Sequence, residues 1–150
     1  AAELMITVLM GAPAAGKSTW VENNKTGFEH IFNTEMVRVN REIDVAQFMH
    51  FIRAKAIQAA EKNMDIIADG THTFTLHRRF WLNLADRLSI ETKLIAFDTA
   101  LNTLIAGNSK RQYPATPKIV RQHHARMSIA MRAVQAEPWG SIEVIRRGYE

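Results

Sequence analysis

Hydrophobic positions along the chain change period, from short near-continuous runs to longer stripes at helical spacing, and that alternation predicts an α/β fold. Leu4-Met5-Ile6-Thr7-Val8-Leu9-Met10 is apolar at nearly every position, as in a strand buried on both faces of a parallel sheet. A helix is expected from Lys17 to about Asn24, then a second strand near Glu29–Phe32 that ends at Asn33-Thr34-Glu35. Asp44 is placed to cap a long helix through Lys62, with Val45, Phe48, Ile52, Ala56 and Ala59 on one stripe. Met64–Ala68 reads as a third strand, followed by Asp69-Gly70-Thr71. Thr75 is placed to cap a helix through Leu88, with Leu76, Phe80, Leu84 and Leu88 inward. Thr92–Phe97 reads as a fourth strand, with a short helix after it to about Gly107. Asn108 to Pro117 is polar and interrupted by prolines, the composition of a loop. A helix from Pro117 or Lys118 to about Ala136 is amphipathic, with Val120, Met127, Met131 and Val134 on one side and Lys118, Arg121 and Arg132 on another. Ile142–Ile145 makes a fifth strand.

A chain of 150 residues is expected to form one domain, spanning 1–150, with one substantial core. Hydrophobic residues at 47% and charged residues at 23% fit a soluble globular class. No apolar stretch approaches the roughly 18 residues that would span a bilayer, and no charged-then-apolar leader precedes the first strand. The absence of cysteine excludes a disulfide framework and a thiolate metal site, and a reducing cytoplasm fits it. The net charge of +4 is uneven: residues 1–100 hold 11 Lys/Arg against 12 Asp/Glu, and residues 101–150 hold 8 against 3. Such a basic last third suits an anionic partner, nucleotide or nucleic acid; a solvated basic helix face is the other reading.

Chemistry enters between the first strand and the first helix. Gly11-Ala12-Pro13-Ala14-Ala15-Gly16-Lys17-Ser18-Thr19-Trp20 carries G-x-x-x-x-G-K-[ST], the pattern of a phosphate-binding loop. Its glycines let the backbone fold around an anion, and the following helix points its first N–H groups at the phosphates. Lys17 would then reach the β- and γ-phosphates and Ser18 would hold Mg²⁺, which implies ATP or another NTP. A glycine-rich turn with a chance lysine would not also require a buried strand before it and a helix after it. Ligands of open α/β sheets lie beyond the carboxyl ends of the strands. There the chain offers Asn33-Thr34-Glu35, Asp69 and Asp98-Thr99, with Arg111 on the later loop. Phosphoryl transfer to a hydroxyl needs a carboxylate to accept the proton and cations around the moving group. His72, His77, His123 and His124 lack metal-ligand spacing, and Trp20, Trp81 and Trp139 read as core or rim aromatics.

From Ile6 to about Met127 these motifs resemble, in order and separation, the kinase domain of phage-type polynucleotide 5′-kinases. GAPAAGKSTW is similar to that family's phosphate loop, including the tryptophan after the Ser-Thr pair. Gly27-Phe28 and Asn33-Thr34-Glu35-Met36-Val37-Arg38 resemble its acceptor motif N-x-D-x-x-R. Ile66-Ile67-Ala68-Asp69 resembles its third-strand segment, and Asn108-Ser109-Lys110-Arg111 with Lys118 resembles its lid. The resemblance implies a P-loop kinase fold with a five-stranded parallel sheet ordered 2-3-1-4-5 and a lid loop. It also implies transfer of the ATP γ-phosphoryl to the 5′-hydroxyl of DNA or RNA. Glu35 would be general base, Arg38 would hold the acceptor's neighbouring phosphate, Asp69 would line the acceptor and Mg²⁺ region, and Arg111 would contact the donor phosphates. Glu35 stands where the family usually has Asp, one methylene shorter, and Gly107 where a second lid arginine can occur. Asp69-Gly70-Thr71 lacks the upstream D-x of a phosphatase D-x-D-G-T, so no phosphatase activity is expected. Two other readings stay open: transfer to a nucleoside or other small hydroxyl compound, and an NTP-binding module without transfer.

Overall fold

In the computed structural model, which describes residues 3–34 and 45–149, the first apolar run forms β1 (Met5–Met10) at the centre of a five-stranded sheet. The other strands are β2 (Glu29–Asn33), β3 (Asp65–Asp69), β4 (Glu91–Thr99) and β5 (Ser141–Arg147). They pair in parallel in the order β2-β3-β1-β4-β5, as expected for a P-loop kinase fold. Parallel neighbours need crossovers, and the helices α1 (Lys17–Asn24), α2 (Val45–Glu61), α3 (Thr75–Leu88), α4 (Leu101–Ser109) and α5 (Pro117–Ala133) supply them. Ile6, Val8, Met10, Ile66, Ala68, Leu94 and Ala96 form the core on one face, under α2, α3 and the later part of α5. Leu9, Ile67, Ile95 and Phe97 form it on the other, with Val21 of α1 and Leu104 of α4. Val120 belongs to the second layer and Met127 and Ala130 to the first, so α5 passes from one side of the sheet to the other.

Local departures from the expected elements have physical causes. Leu76 is exposed, whereas Arg78, Trp81, Leu84 and Ala85 are the buried face of α3. Phe80, Leu84 and Leu88 face the core as expected; Leu76 does not, and the buried arginine that shares the face reads as polar in the sequence. Thr75 is the first helical residue rather than the cap, which is Phe74. Asn108 ends a helix instead of opening a loop: it is buried, donates to Ala115 O at 2.8 Å and accepts from Ala115 N at 3.0 Å. Thr116 caps α5 through Ile119 N, with Pro117 at the first position. β4 and β5 each run two residues past the expected carboxyl end, to Thr99 and Arg147. Asp44 lies outside the described residues.

Arg78 is almost wholly enclosed, 1% exposed, and every N–H of its guanidinium has a partner. Nε and Nη2 donate to the Glu137 carboxylate at 2.9 Å each, and Nη2 also donates to Thr75 Oγ1 at 3.2 Å. Nη1 donates to His72 O and Thr73 O at 3.1 and 2.9 Å. Burial alone would raise the Glu137 pKa. Hydrogen bonds from Arg78 and Trp139, with the charge of Arg78, outweigh burial and hold it below the ordinary carboxylate value.

Glu137→Gln leaves this buried guanidinium without its counter-charge, and by urea unfolding it should cost about 3–5 kcal/mol. Replacing both partners by Met should recover much of that loss. A single variant within 0.5 kcal/mol of wild type would contradict the pairing as a structural necessity.

Candidate active site

The turn between β1 and α1 is held from three sides. Gly11 N donates to Thr71 O at 3.0 Å, tying the loop to the segment after β3. Thr99 Oγ1 donates to Ala15 O at 3.1 Å from the end of β4, and Arg147 Nη1 donates to the same oxygen at 3.3 Å from the end of β5. Gly16 has φ 106°, a left-handed conformation costly for a side chain, and a methyl there would collide with Arg147 Nη1. Gly16 also serves as the N-cap of α1 with no side-chain cap bond. With glycine at the cap, no cap side chain occupies the N–H groups of that first turn, the arrangement that receives phosphate oxygens. Lys17 is buried, and its ammonium donates to Gly11 O at 2.6 Å and Ala12 O at 3.2 Å.

His72 fastens the neighbouring loop. It is buried with φ 49°; Nδ1 contacts Leu9 O at 2.7 Å, and Trp81 Nε1 donates to Nε2 at 3.2 Å. A carbonyl can only accept, so the Nδ1–H tautomer is set by its partners. Burial, with the nearby charge of Lys17, pushes the His72 pKa down to about 4 despite the Leu9 bond, which keeps the ring neutral.

A cleft of roughly 370 Å³ opens above this turn, lined by Pro13, Ala14, Gly16, Lys17, Ser18, Thr19, Asn33, Asp69, Gly107, Arg111 and Arg147. It brings together the loop residues, Asp69 and Arg111 expected from the sequence. Gly11, Ala12 and Ala15 are the buried underside of the loop and do not line the cleft. Asn33 and Asp69 are register partners, and Thr34 Oγ1 donates to Asp69 O at 3.2 Å, joining the two strand ends. Glu35 and Arg38 lie outside the described residues. Asp98 is not in the cleft; it accepts from the Tyr149 hydroxyl and pairs with Arg146. Lys118, at the start of α5, does not line it either. Gly107 does, and a Cβ there would sit 3.3 Å from Ala14 Cβ, so the packing of α4 on the loop suits a glycine. Arg147 was missed because the fifth strand was expected to stop at Ile145. Its signal was parity: Ile145 packs in the layer that holds Ala12 and Ala15, and Arg147 is two residues further on that face.

Among the described residues no group of three or more His, Cys, Asp or Glu could hold a metal ion. The exposed Ser18 hydroxyl and the Asp69 carboxylate share the cleft, which fits a hard cation that takes one or two protein oxygens and the rest from phosphate and water. No helix of the described residues is long and apolar enough to cross a membrane.

A family model described as an AAA domain matches residues 6–134. A chain of the Pnkp1/Rnl/Hen1 RNA repair complex has the same fold, with a TM-score of 0.72 and 14% identity over 89% of this chain. The match covers 47% of that chain, so the present sequence spans about half of its length. Deoxyadenosine kinase from M. mycoides, solved with dCMP and dCDP, gives a TM-score of 0.57 at 15% identity, covering 94% of this chain and 90% of that one. At such identities the likeness is one of fold, that of the P-loop kinases.

A neutral His72 makes stability depend on pH in a defined direction. Below pH 6.5 the unfolded chain takes up a proton that the folded chain refuses until about pH 4. Stability should therefore fall as pH drops through that window, by up to about 1.4 kcal/mol per pH unit, and this term vanishes above it. His72→Asn, which tolerates the left-handed backbone, should flatten the slope measured by urea unfolding between pH 7 and 5. An unchanged slope would show that His72 charges in the folded state.

Proposed function

The chain belongs to the AAA domain family, and from that premise we propose that it is a polynucleotide 5′-kinase of the phage type, moving the γ-phosphoryl of ATP or another NTP to a 5′-hydroxyl of DNA or RNA. One observation carries the reading: a single cleft is lined by Lys17 and Ser18 of the phosphate loop, by Asn33 and Asp69 at the ends of β2 and β3, and by Arg111. A nucleotide donor with its cation would use the loop and Asp69, which leaves Asn33 at the end of β2 for a second substrate. The resemblance of Asn33 to Arg38 to an acceptor motif supports a nucleic-acid 5′ end as that substrate.

Each residue then has a distinct part. The backbone N–H groups from Gly16 to Thr19, which line the cleft, hold the donor phosphates, and Lys17 exchanges its carbonyl partners for phosphate oxygens. Ser18 and Asp69 would hold Mg²⁺, directly or through water; when bound, the ion would neutralise charge on the β- and γ-oxygens. Glu35 accepts the proton of the attacking hydroxyl, and Arg38 holds the 3′-phosphate of the same acceptor nucleotide. Arg111 stabilises the charge that develops on the transferring group. The basic last third of the chain supports an anionic partner.

γ-Labelled ATP with Mg²⁺, offered 5′-hydroxyl DNA, 5′-hydroxyl RNA and nucleosides side by side, should label the 5′ end of a polynucleotide. Label on nucleosides alone would make the protein a small-acceptor kinase, and label on none would leave an NTP-binding module.

Steady-state kinetics should separate the two remaining roles. Glu35→Ala should lower kcat by about 10²–10⁴-fold if it is the base. Arg111→Ala should lower kcat by about 10³-fold, the low end of arginine-finger effects. Full activity of either variant would strike that residue from the mechanism.

A further inference from the structure

Arg147 has no part in the scheme above, yet it is built into the donor side of the cleft. Alternation along β5 separates the two arginines at its end. Arg146 pairs with Asp98, while Arg147 shares the face of Ile145, which packs beside Ala12 and Ala15 of the phosphate loop. There its guanidinium donates to Ala15 O and lies over Gly16, where a methyl would collide with it. Among the described residues no carboxylate pairs with Arg147, unlike Arg78, Lys93 and Arg146, each of which has one. It lines the same cleft as Lys17, Ser18 and Arg111.

Its backbone is also fixed. Arg147 O accepts from Ala100 N at 2.9 Å, and Arg147 pairs in register with Thr99, whose hydroxyl holds the same Ala15 carbonyl. Gly148, with φ 81°, turns the chain so closely past the start of α4 that a side chain would clash with Thr103 and press on Ala100. The exposed guanidinium is thus carried on a fixed backbone and leans on the loop through Ala15 O; it donates only, so its natural partner is an anion.

We propose that Arg147 binds the triphosphate of the donor nucleotide, together with the phosphate loop; the assignment rests on the nucleotide-kinase reading of the site. Carried on the fixed backbone of the strand end, it meets the same phosphate oxygens before and during transfer. It thereby sets donor affinity rather than the rate of the chemical step. Arg111, carried on an exposed loop, acts on the rate.

Equilibrium binding of ATP with Mg²⁺, with no acceptor present, tests this directly. Arg147→Ala should weaken ATP binding by about tenfold to hundredfold, the range of a charge-assisted hydrogen bond to phosphate. Arg147→Gln keeps an amide to donate to Ala15 O, so it separates loss of charge from loosening of the loop and should weaken binding comparably. Arg146→Ala should leave ATP affinity unchanged, adenosine should bind wild type and Arg147→Gln equally, and kcat at saturating ATP should stay within about threefold. Wild-type ATP affinity in a folded Arg147→Gln protein would overturn the proposal, as would equal losses for ATP and adenosine. Arg147-dependent ATP binding with no label on any 5′-hydroxyl acceptor would discard the polynucleotide reading and keep this one. Labelled acceptor with unchanged Arg147→Gln affinity would do the reverse, and a wild-type protein that binds no ATP would overturn both.

Discussion

The phosphate loop depends on a guanidinium that never reaches it. The segment after β3 turns back beneath the loop with buried carbonyls at His72 and Thr73, and buried carbonyls must be satisfied inside the protein. Arg78 satisfies both and anchors its own charge on Glu137, beyond the end of α5. With that segment fixed, His72 can reach Leu9 O, and Thr71 O can receive Gly11 N. The chain of bonds thus runs from a carboxylate near the C-terminal strand to the first residue of the loop. Each link removes a freedom that the next requires.

Electrostatics of the cleft follow from the same frame. A buried ammonium at Lys17 would be costly without partners, and the Gly11 and Ala12 carbonyls supply them before any ligand arrives. Burial makes His72 refuse a proton, so no second positive charge forms behind Lys17 near neutral pH. The described cations lining the cleft are Lys17, Arg111 and Arg147, and its described carboxylate is Asp69. That balance favours a polyanion, with one hard oxygen ligand kept for a cation beside it.

Much of this was legible in the residues. The phosphate loop follows from a buried strand, two glycines and a lysine at fixed spacing, and Asp69 from the rule that ligands lie beyond strand ends, whereas the strand order came with the family resemblance. Asp98 shows the limit of the strand-end rule, since two positions at the end of one strand face opposite ways. Thr99 turns to the loop and Asp98 to Tyr149 and Arg146. Arg78 was illegible because the partner that makes its burial tolerable lies 59 residues away. Hydrophobic periodicity cannot register a buried charge. Arg147 escaped for a narrower reason, an early strand end, although the period-two alternation already assigned it a face.

Where the two cleft arginines sit decides what each can do. Asn108 pins Ala115 by two hydrogen bonds, so the loop that carries Arg111 has fixed ends and an exposed middle. Ordering a side chain there costs about 0.5–1.5 kcal/mol, a cost best met by an interaction that strengthens as charge develops. Arg147 stands on a strand end already clamped by Ala100, Thr99 and Gly148, so its backbone is fixed and only its exposed side chain has freedom to lose on binding. A cation on a fixed backbone meets ground state and transition state alike, and a loop cation can favour the second. The proposed division follows from that placement: Arg147, on the sheet, for affinity, and Arg111, on a loop, for rate.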